Sequence, residues 1–333
     1  MFLNMTPSII NRIAILTSGS DAPGMNACIR AVVRGALYHG IEVMGIRRGY
    51  GGLIRGDIFS MTSHSVSNII QRGGTILKSA HCPEFMTVEG RQKAYEQLMN
   101  HGIDALIVIG GNGTFEGALH FYEEFGVPIM GIPGTIDNDL FGTDYTIGYD
   151  TAVNTALKAI DRIRDTADSH ERIFLIEVMG RDSGYIAVQS GIAGGAEMVV
   201  ISEDPLSTQE LVDTLKQGFN RSKSSSIIIV AEGETKGTAA TLADQIRKQV
   251  DDKFDMRVTA LGHVQRGGTP SAYDRILASR LGLGALEGLL DGTINVMVGI
   301  INNQLVYTPL REAIDRSKPI KNELLRMVNI LSV

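Results

Sequence analysis

Two carboxylates placed two residues apart, just after an apolar run, are the first pointer to chemistry. Pro133-Gly134-Thr135-Ile136-Asp137-Asn138-Asp139 follows Ile129-Met130-Gly131-Ile132, which reads as a strand ending in a loop. Open α/β sheets present their ligand crevice at the carboxyl ends of strands. A carboxylate held there can accept a proton from a substrate hydroxyl or help hold a metal-bound phosphate. A polar turn with an Asx cap uses the same residue types, so the loop alone leaves both readings open. Two glycine-rich segments share its setting. Thr17-Ser18-Gly19-Ser20-Asp21-Ala22-Pro23-Gly24-Met25-Asn26 follows one apolar run, and Gly110-Gly111-Asn112-Gly113-Thr114 follows Ala105-Leu106-Ile107-Val108-Ile109. Small residues let backbone N–H groups approach an anion, and a helix start adds positive potential. Thr114 offers a hydroxyl as well. Glycine is common in any βα turn, and neither segment matches a Walker sequence or G-x-G-x-x-G. Three such loops in one chain are far more specific than one.

Cations supply the complement. His263-Val264-Gln265-Arg266-Gly267-Gly268 places His263 and Arg266 three apart, on one face if the segment turns helically. Arginine can hold phosphate bidentately, so the pair suits an anionic substrate, although a single His or Arg is more often structural. Arg30 and Arg34 are four apart on the first expected helix, and Arg162 and Arg164 lie near Arg172. These are either a solvated face or a second anion site.

The elements that must position these groups alternate along the chain. Strands are expected at Arg12–Leu16, Glu42–Ile46, Ala105–Ile109, Pro128–Ile132, Arg172–Val178, Glu197–Ile201, Ser226–Ala231 and Arg257–Leu261. Several are unbroken apolar runs, as parallel strands buried on both faces require. Ala152, Val153, Ala156, Leu157, Ile160 and Ile163 give the stripe of an amphipathic helix. The β-α-β-α order implies α/β architecture with parallel sheets covered by helices, and 333 residues allow two domains, with a break expected near Tyr145–Tyr149.

Composition excludes several classes. Apolar residues make up 44% and charged residues 20%, and the net charge is 31 − 37 = −6 with no basic tail, so nucleic acid is not an expected partner. Cys28 and Cys82 are too few for a disulfide framework or a zinc cluster. The first residues lack the pattern of a signal peptide, and no apolar stretch approaches the roughly 20 residues that span a bilayer. The expectation is a cytoplasmic protein with no membrane partner.

In order and content these segments resemble the bacterial phosphofructokinase family. The matching stretches are SGSDAPGMNACIRAVVRGAL, QRGGTIL, IDALIVIGGNGT, PGTIDNDLFGTDYTIGYDTA, EVMGR, AEG and LGHVQRGGTPSAYDRILASR. The resemblance implies two Rossmann-like three-layer α/β/α domains with mostly parallel sheets. A larger nucleotide-binding domain would comprise 1–146 plus 261–313, and a smaller sugar-phosphate domain 147–260 plus 314–333. It implies phosphorylation of fructose 6-phosphate on its 1-hydroxyl by ATP with Mg²⁺, in a homotetramer. By matched position, Asp137 resembles the base, with Thr135, Ile136 and Asp139 beside it. Met179, Gly180 and Arg181 resemble the segment whose arginine stabilises the moving phosphoryl group. Glu232, His263 and Arg266 resemble sugar-phosphate ligands, and Arg172 and Arg257 resemble arginines lent by a neighbouring subunit.

The nucleotide side departs from the pattern. Gly19, Ser20, Gly111, Asn112, Gly113 and Thr114 correspond to the donor-binding turns, but Ser20 stands where the family has glycine and Asn112 where it has the metal-site aspartate. His81-Cys82 replaces an Arg-Phe pair that usually contacts ATP. A metal site would then rest on Asn112 and Asp139. Pyrophosphate-using relatives carry Asp in place of Gly113 and Lys in place of Gly134, so the two glycines favour ATP. The effector site of the family, which takes ADP or phosphoenolpyruvate, is matched by Arg30, Arg34, Arg164, Glu197, Arg221 and Lys223, while an arginine expected near Ser63 is missing. The rival expectations are a phosphofructokinase with another donor and a sugar-phosphate-binding regulatory paralogue with weak catalysis.

Overall fold

The computed structural model describes residues 10–170, 172–204, 207–220, 225–233, 238–250 and 255–331. They fall into two compact units. The first contains the described residues up to Thr135, then Leu140–Tyr149 and Arg266–Lys318. The second contains Ile136–Asp139, the described part of 150–265 and the described residues from Pro319 onward.

The first unit begins with β1 (Arg12–Thr17), α1 (Met25–Tyr38), β2 (Glu42–Ile46), α2 (Gly49–Arg55) and β3 (Ile58–Met61). It continues with α3 (Val88–Asn100), β4 (Ala105–Gly110), α4 (Asn112–Phe125) and β5 (Ile129–Pro133). Helix α5 (Tyr149–His170) leads to β6 (Ile173–Val178), α6 (Tyr185–Gly194), β7 (Met198–Val200) and α7 (Thr208–Asn220), then β8 (Ser226–Ala231), α8 (Ala239–Val250) and β9 (Met256–Ala260). The chain returns through α9 (Ala272–Leu290), β10 (Val296–Ile301), β11 (Gln304–Pro309) and α10 (Leu310–Asp315), and α11 (Asn322–Leu331) follows.

The seven-stranded sheet of the first unit has the order β11-β10-β5-β4-β1-β2-β3, and the four-stranded sheet of the second has β7-β8-β6-β9. Every pairing is parallel except β2 with β3 and β10 with β11. Central strands are apolar throughout because helices cover both faces: Ile13–Leu16 and Ala105–Ile109 are completely buried. The second unit has its own core, in which Leu175, Ile228, Leu211 and Ile246 pack from sheet and helices.

The expected strands all form, within a residue or two at each end, and the amphipathic stripe of 152–163 lies on α5. Three strands escape the periodicity argument. β3 is a four-residue edge strand, and β10–β11 is a hairpin whose turn residues, Asn302 and Asn303, both adopt positive φ (49° and 63°). That is the geometry a two-residue hairpin favours. Among the described residues, no helix is long and apolar enough to cross a membrane.

Candidate active site

In the first unit the candidate donor-binding residues gather at the carboxyl ends of β1 and β4. Ser18 N donates to Ile109 O (3.1 Å), joining the two strand ends, and Gly134 N donates to Gly110 O (2.9 Å), joining β4 to the loop after β5. Gly110 is obligatory: a Cβ there would lie 2.3 Å from Thr114 Oγ1 and 2.7 Å from Ser18 O. Thr114 is therefore tucked under the Gly19 turn and is 4% exposed, while Ser20, Asn112 and Gly113 face solvent. Asn112 is the first residue of α4, at the positive end of that helix's dipole.

A third segment closes this side. Asn26, 1% exposed, holds it with three hydrogen bonds, to Arg72 O (3.0 Å), Gly73 O (3.1 Å) and from Ile76 N (2.8 Å). Thr17 Oγ1 meets Thr75 Oγ1 and donates to Lys78 O, both at 3.0 Å, and Ser79 Oγ donates to Gly19 O (2.6 Å). His81 follows two residues later and is exposed; Cys82 precedes the short helical turn Pro83–Met86. Asn26 and Thr17 carry no chemistry that sequence reasoning could single out. Tyr50 stacks on Phe85 (centroids 3.8 Å apart, 6° between planes) and donates its hydroxyl to Thr114 O (2.6 Å), so the base of α4 is braced from behind. Burial pushes the phenol of Tyr50 well above its ordinary range, and burial does the same to the Cys28 thiol.

Gly113 and Gly134, the two positions expected to bear on donor choice, differ sharply. Nothing lies within 4 Å of a Cβ built on Gly113. At Gly134 such an atom would lie 2.8 Å from Ile109 Cγ2 and 3.1 Å from Met25 Cε, so a lysine has no room without moving the core.

In the second unit the loop Ile136–Asp139 meets the turn that follows β6. Ser183 Oγ donates to Asp137 O (2.8 Å), and Ser183 N donates to Gly180 O (2.8 Å). The turn is tight: Gly180 has φ 151°, and a Cβ there would sit 2.1 Å from Ser183 O. Arg181 beside it has φ 52°, and Asn138 in the facing loop has φ 54° while being 2% exposed. Left-handed backbone at a residue with a Cβ costs about 1–2 kcal/mol, and such strain gathers at functional sites. Met179 N donates to Gln265 Oε1 (3.4 Å), and Gln265 Nε2 donates to Gly262 O (3.1 Å), with Gln265 fully buried. This fixes the turn Gly262–Arg266, a 3₁₀ helix in which positions three apart eclipse, so His263 and Arg266 share a face as their spacing predicts. Glu232 N donates to Val178 O (2.8 Å), and a Cβ on the adjacent Gly233 would lie 3.4 Å from Arg181 O. Asp137, Met179, Gly180, Arg181, Glu232 and His263 are thus brought together. Ser183 and Gln265, which sequence reasoning did not single out, hold them there.

Arg172 and Arg257 are not brought to this cluster. They stand at the opening ends of β6 and β9, whose far ends carry it, and Arg172 and Met179, at the two ends of β6, are seven steps apart, roughly 23 Å of strand. One carboxylate pairs with both: Asp255 accepts from Arg172 Nε (2.6 Å) and from Arg257 Nη2 (3.1 Å). The hydrogen bond from Arg172 and the charges of both guanidiniums hold Asp255 below the usual carboxylate range. Of the candidate effector residues, Arg164 donates to Gly195 O (2.7 Å) at the end of α6 and stands 3.9 Å from Glu197, which also accepts from Ile227 N (2.6 Å). Arg30 and Arg34 lie on α1 in the first unit. Arg221 and Lys223 lie outside the described residues.

A sequence profile described as phosphofructokinase matches residues 12–289. The chain belongs to the phosphofructokinase family. An ATP-dependent 6-phosphofructokinase of Cytophaga hutchinsonii is 58% identical over 97% of this chain and 98% of its own length. ATP-dependent 6-phosphofructokinase 1 of Thermus thermophilus is 56% identical over 97% and 100%. Among solved structures, phosphofructokinase from Pichia pastoris in the T-state superposes with a TM-score of 0.87 at 36% identity. It covers 92% of this chain, and this chain spans about a third of that larger one (35%). Membership explains the fold and the order of the loops. It does not explain Ser20, His81, Cys82 or Asn112, which are read from this chain's own geometry.

Proposed function

We propose that this chain is an ATP-dependent 6-phosphofructokinase that transfers the terminal phosphoryl group of ATP to the 1-hydroxyl of fructose 6-phosphate, giving fructose 1,6-bisphosphate and ADP. The observation that carries the reading is the hydrogen bond from Ser183 to Asp137 O, which ties the candidate base to the turn bearing Arg181. In this scheme Asp137 accepts the proton of the attacking hydroxyl. Arg181 offsets charge on the phosphate oxygens, while Thr135 and Asp139 flank the transfer position. Ile136, Met179, Gly180, Glu232, His263 and Arg266 orient the sugar phosphate. The Gly19–Ser20 turn and Gly111–Thr114 receive the nucleotide, with His81 and Cys82 near its far end.

Among the described residues, no cluster of three or more His, Cys, Asp or Glu could cage a metal ion. Mg²⁺ prefers carboxylate, water and phosphate oxygens and usually arrives with few protein ligands. The residues therefore suit an ion carried by the nucleotide, with Asn112 and Asp139 as the side chains assigned to it. Bound there, Mg²⁺ supplies charge neutralisation on the phosphate chain.

The closed packing around Gly134 supports ATP over pyrophosphate, since the lysine of pyrophosphate-using relatives would collide with Ile109. The separation of Arg172 and Arg257 from Arg181 along their strands supports their acting in a neighbouring subunit's site, and hence a homotetramer. The same reading makes the protein a cytoplasmic enzyme. It also makes Arg30, Arg34, Arg164 and Glu197, with Arg221 and Lys223, an effector site for ADP or phosphoenolpyruvate. The test is an assay of purified protein with fructose 6-phosphate and Mg²⁺ and, in turn, ATP, GTP and pyrophosphate, alongside Asp137→Ser. ATP should be the preferred donor, and the variant should lose orders of magnitude in kcat with modest change in sugar binding. No bisphosphate from any donor, with sugar phosphate still bound, would refute the enzyme reading in favour of a regulatory paralogue.

A further inference from the structure

The segment Thr75–Ser79 carries a feature that the reaction scheme above does not use. Lys78 has φ 61°, left-handed backbone for a residue with a long side chain. Most of the other non-glycine residues with positive φ among those described are asparagines, which enter that region most readily after glycine. Lysine has no such ease. The strain persists because the segment is fixed on every side. Lys78 O accepts from Thr17 Oγ1 (3.0 Å), Lys78 N donates to Thr75 O (3.2 Å), Leu77 O accepts from Arg48 N (2.9 Å) and Ile76 N donates to Asn26 Oδ1 (2.8 Å). The next residue, Ser79, donates to Gly19 O (2.6 Å). Lys78 therefore sits directly beside the Gly19–Ser20 turn.

Its ammonium has no ion-pair partner among the described residues, and the residue is exposed. Two neighbouring cations are committed elsewhere. Arg47 (3.2 Å) and Arg48 (3.0 Å) both pair with Asp57, and Arg47 also lies over the Phe59 ring, 4.1 Å from its centroid. The Gly19 side also carries the exposed imidazole of His81 and the uncharged amide of Asn112. A polyphosphate seated on these turns would meet backbone N–H groups and call for a positive charge beside Gly19.

We propose that Lys78 is a nucleotide-phosphate ligand, its strained backbone presenting a four-carbon stem and an uncommitted ammonium to the phosphates of the donor held by the Gly19–Ser20 turn. The assignment rests on the donor being a nucleotide and would add a specificity-determining residue to that side. Three substitutions separate charge from backbone. Lys78→Gly and Lys78→Asn suit left-handed φ and remove the cation; Lys78→Arg keeps it.

The assay measures KM for ATP and for fructose 6-phosphate, MgADP affinity by titration calorimetry, and Tm. The Gly and Asn variants should raise the ATP KM and the MgADP Kd about 5- to 10-fold, as for one solvent-exposed charge-assisted contact. KM for fructose 6-phosphate should stay within about twofold and Tm should not fall, while Lys78→Arg should stay near wild type on every measure. Nucleotide affinity within about twofold of wild type in both uncharged variants would overturn the proposal, as would equal loss in Lys78→Arg or parallel shifts in both substrates. Because calorimetry reads binding without turnover, a wild type that binds MgADP but forms no bisphosphate would sink the enzyme reading while leaving Lys78 decided by the titration.

Discussion

Replacing Ser183 by alanine removes one hydrogen bond and tests how the candidate site is held. The lost bond is Ser183 Oγ to Asp137 O, 2.8 Å, from a side chain that is 8% exposed as a residue. A typical hydrogen bond nets about 0.5–1.5 kcal/mol, and a carbonyl left buried and unsatisfied costs about 1–3 kcal/mol. The backbone bond from Ser183 N to Gly180 O survives, so the turn itself should remain. The loss is therefore concentrated in the placement of Asp137 relative to Arg181, whose left-handed backbone already stores about 1–2 kcal/mol. A loss near 1.5 kcal/mol expressed in the transition state is about tenfold in kcat. We expect that drop with KM for fructose 6-phosphate changed by less than about threefold, because the sugar ligands are untouched. Steady-state kinetics and a thermal melt on the same preparation read both effects. A Tm lowered by about 2–4 °C with kcat within about twofold of wild type would mean that the bond serves stability alone. The positioning argument would then fail.

Two further outcomes can be checked independently. Asn112→Asp places a carboxylate at an exposed first position of α4, where the helix dipole favours negative charge. The apparent Mg²⁺ requirement should fall several-fold without loss of Tm, and an unchanged requirement in a Mg²⁺ titration would remove Asn112 from the metal's surroundings. Glu124 is held below the ordinary carboxylate range by its hydrogen bond from Arg91, a residue only 5% exposed that also donates to Phe85 O (3.0 Å). A depressed carboxylate contributes stability that is present above its unfolded value, about 4.3, and is lost as pH falls through the lowered one. Glu124→Gln should cost about 2 kcal/mol near pH 7 by stranding the buried guanidinium. The Tm gap to wild type should narrow as melts are taken toward pH 3, and a gap independent of pH would contradict the assignment.

How much of this was legible in the residues depended on whether their information was local. β1, β4 and β8 are read directly because a strand buried on both faces must be apolar at every position, as Ile13–Leu16 and Ile227–Val230 are. The loops after β1, β4 and β5 were legible because glycine-rich turns and a pair of carboxylates recur together where core strands stop. β10 and β11 pair antiparallel at the sheet edge, where β11 is mostly exposed and so lacks the unbroken apolar run that marks the central strands. The bracing roles of Asn26, Ser183 and Gln265 could not be read from their types. A serine or glutamine in sequence looks like any surface residue, and its value here lies in a partner 46, 50 or 86 positions away. The separation of Arg172 from the turn at Arg181 was legible, because the apolar run between them reads as a strand and β6 forms there.

The unequal space at Gly113 and Gly134 bears on how the proposed donor choice could change. Gly113 stands in the open, so an aspartate can appear there in one step with little strain, whereas a side chain at Gly134 must first find Ile109 and Met25 already reshaped. A lineage moving from a nucleotide to a shorter phosphate donor through these two positions would thus meet an ordered path. The exposed change comes cheaply, and the buried one waits on permissive substitutions in the core. The packing of two hydrophobic side chains beneath the loop would then act as a historical lock on donor choice, with no contact to the donor at all.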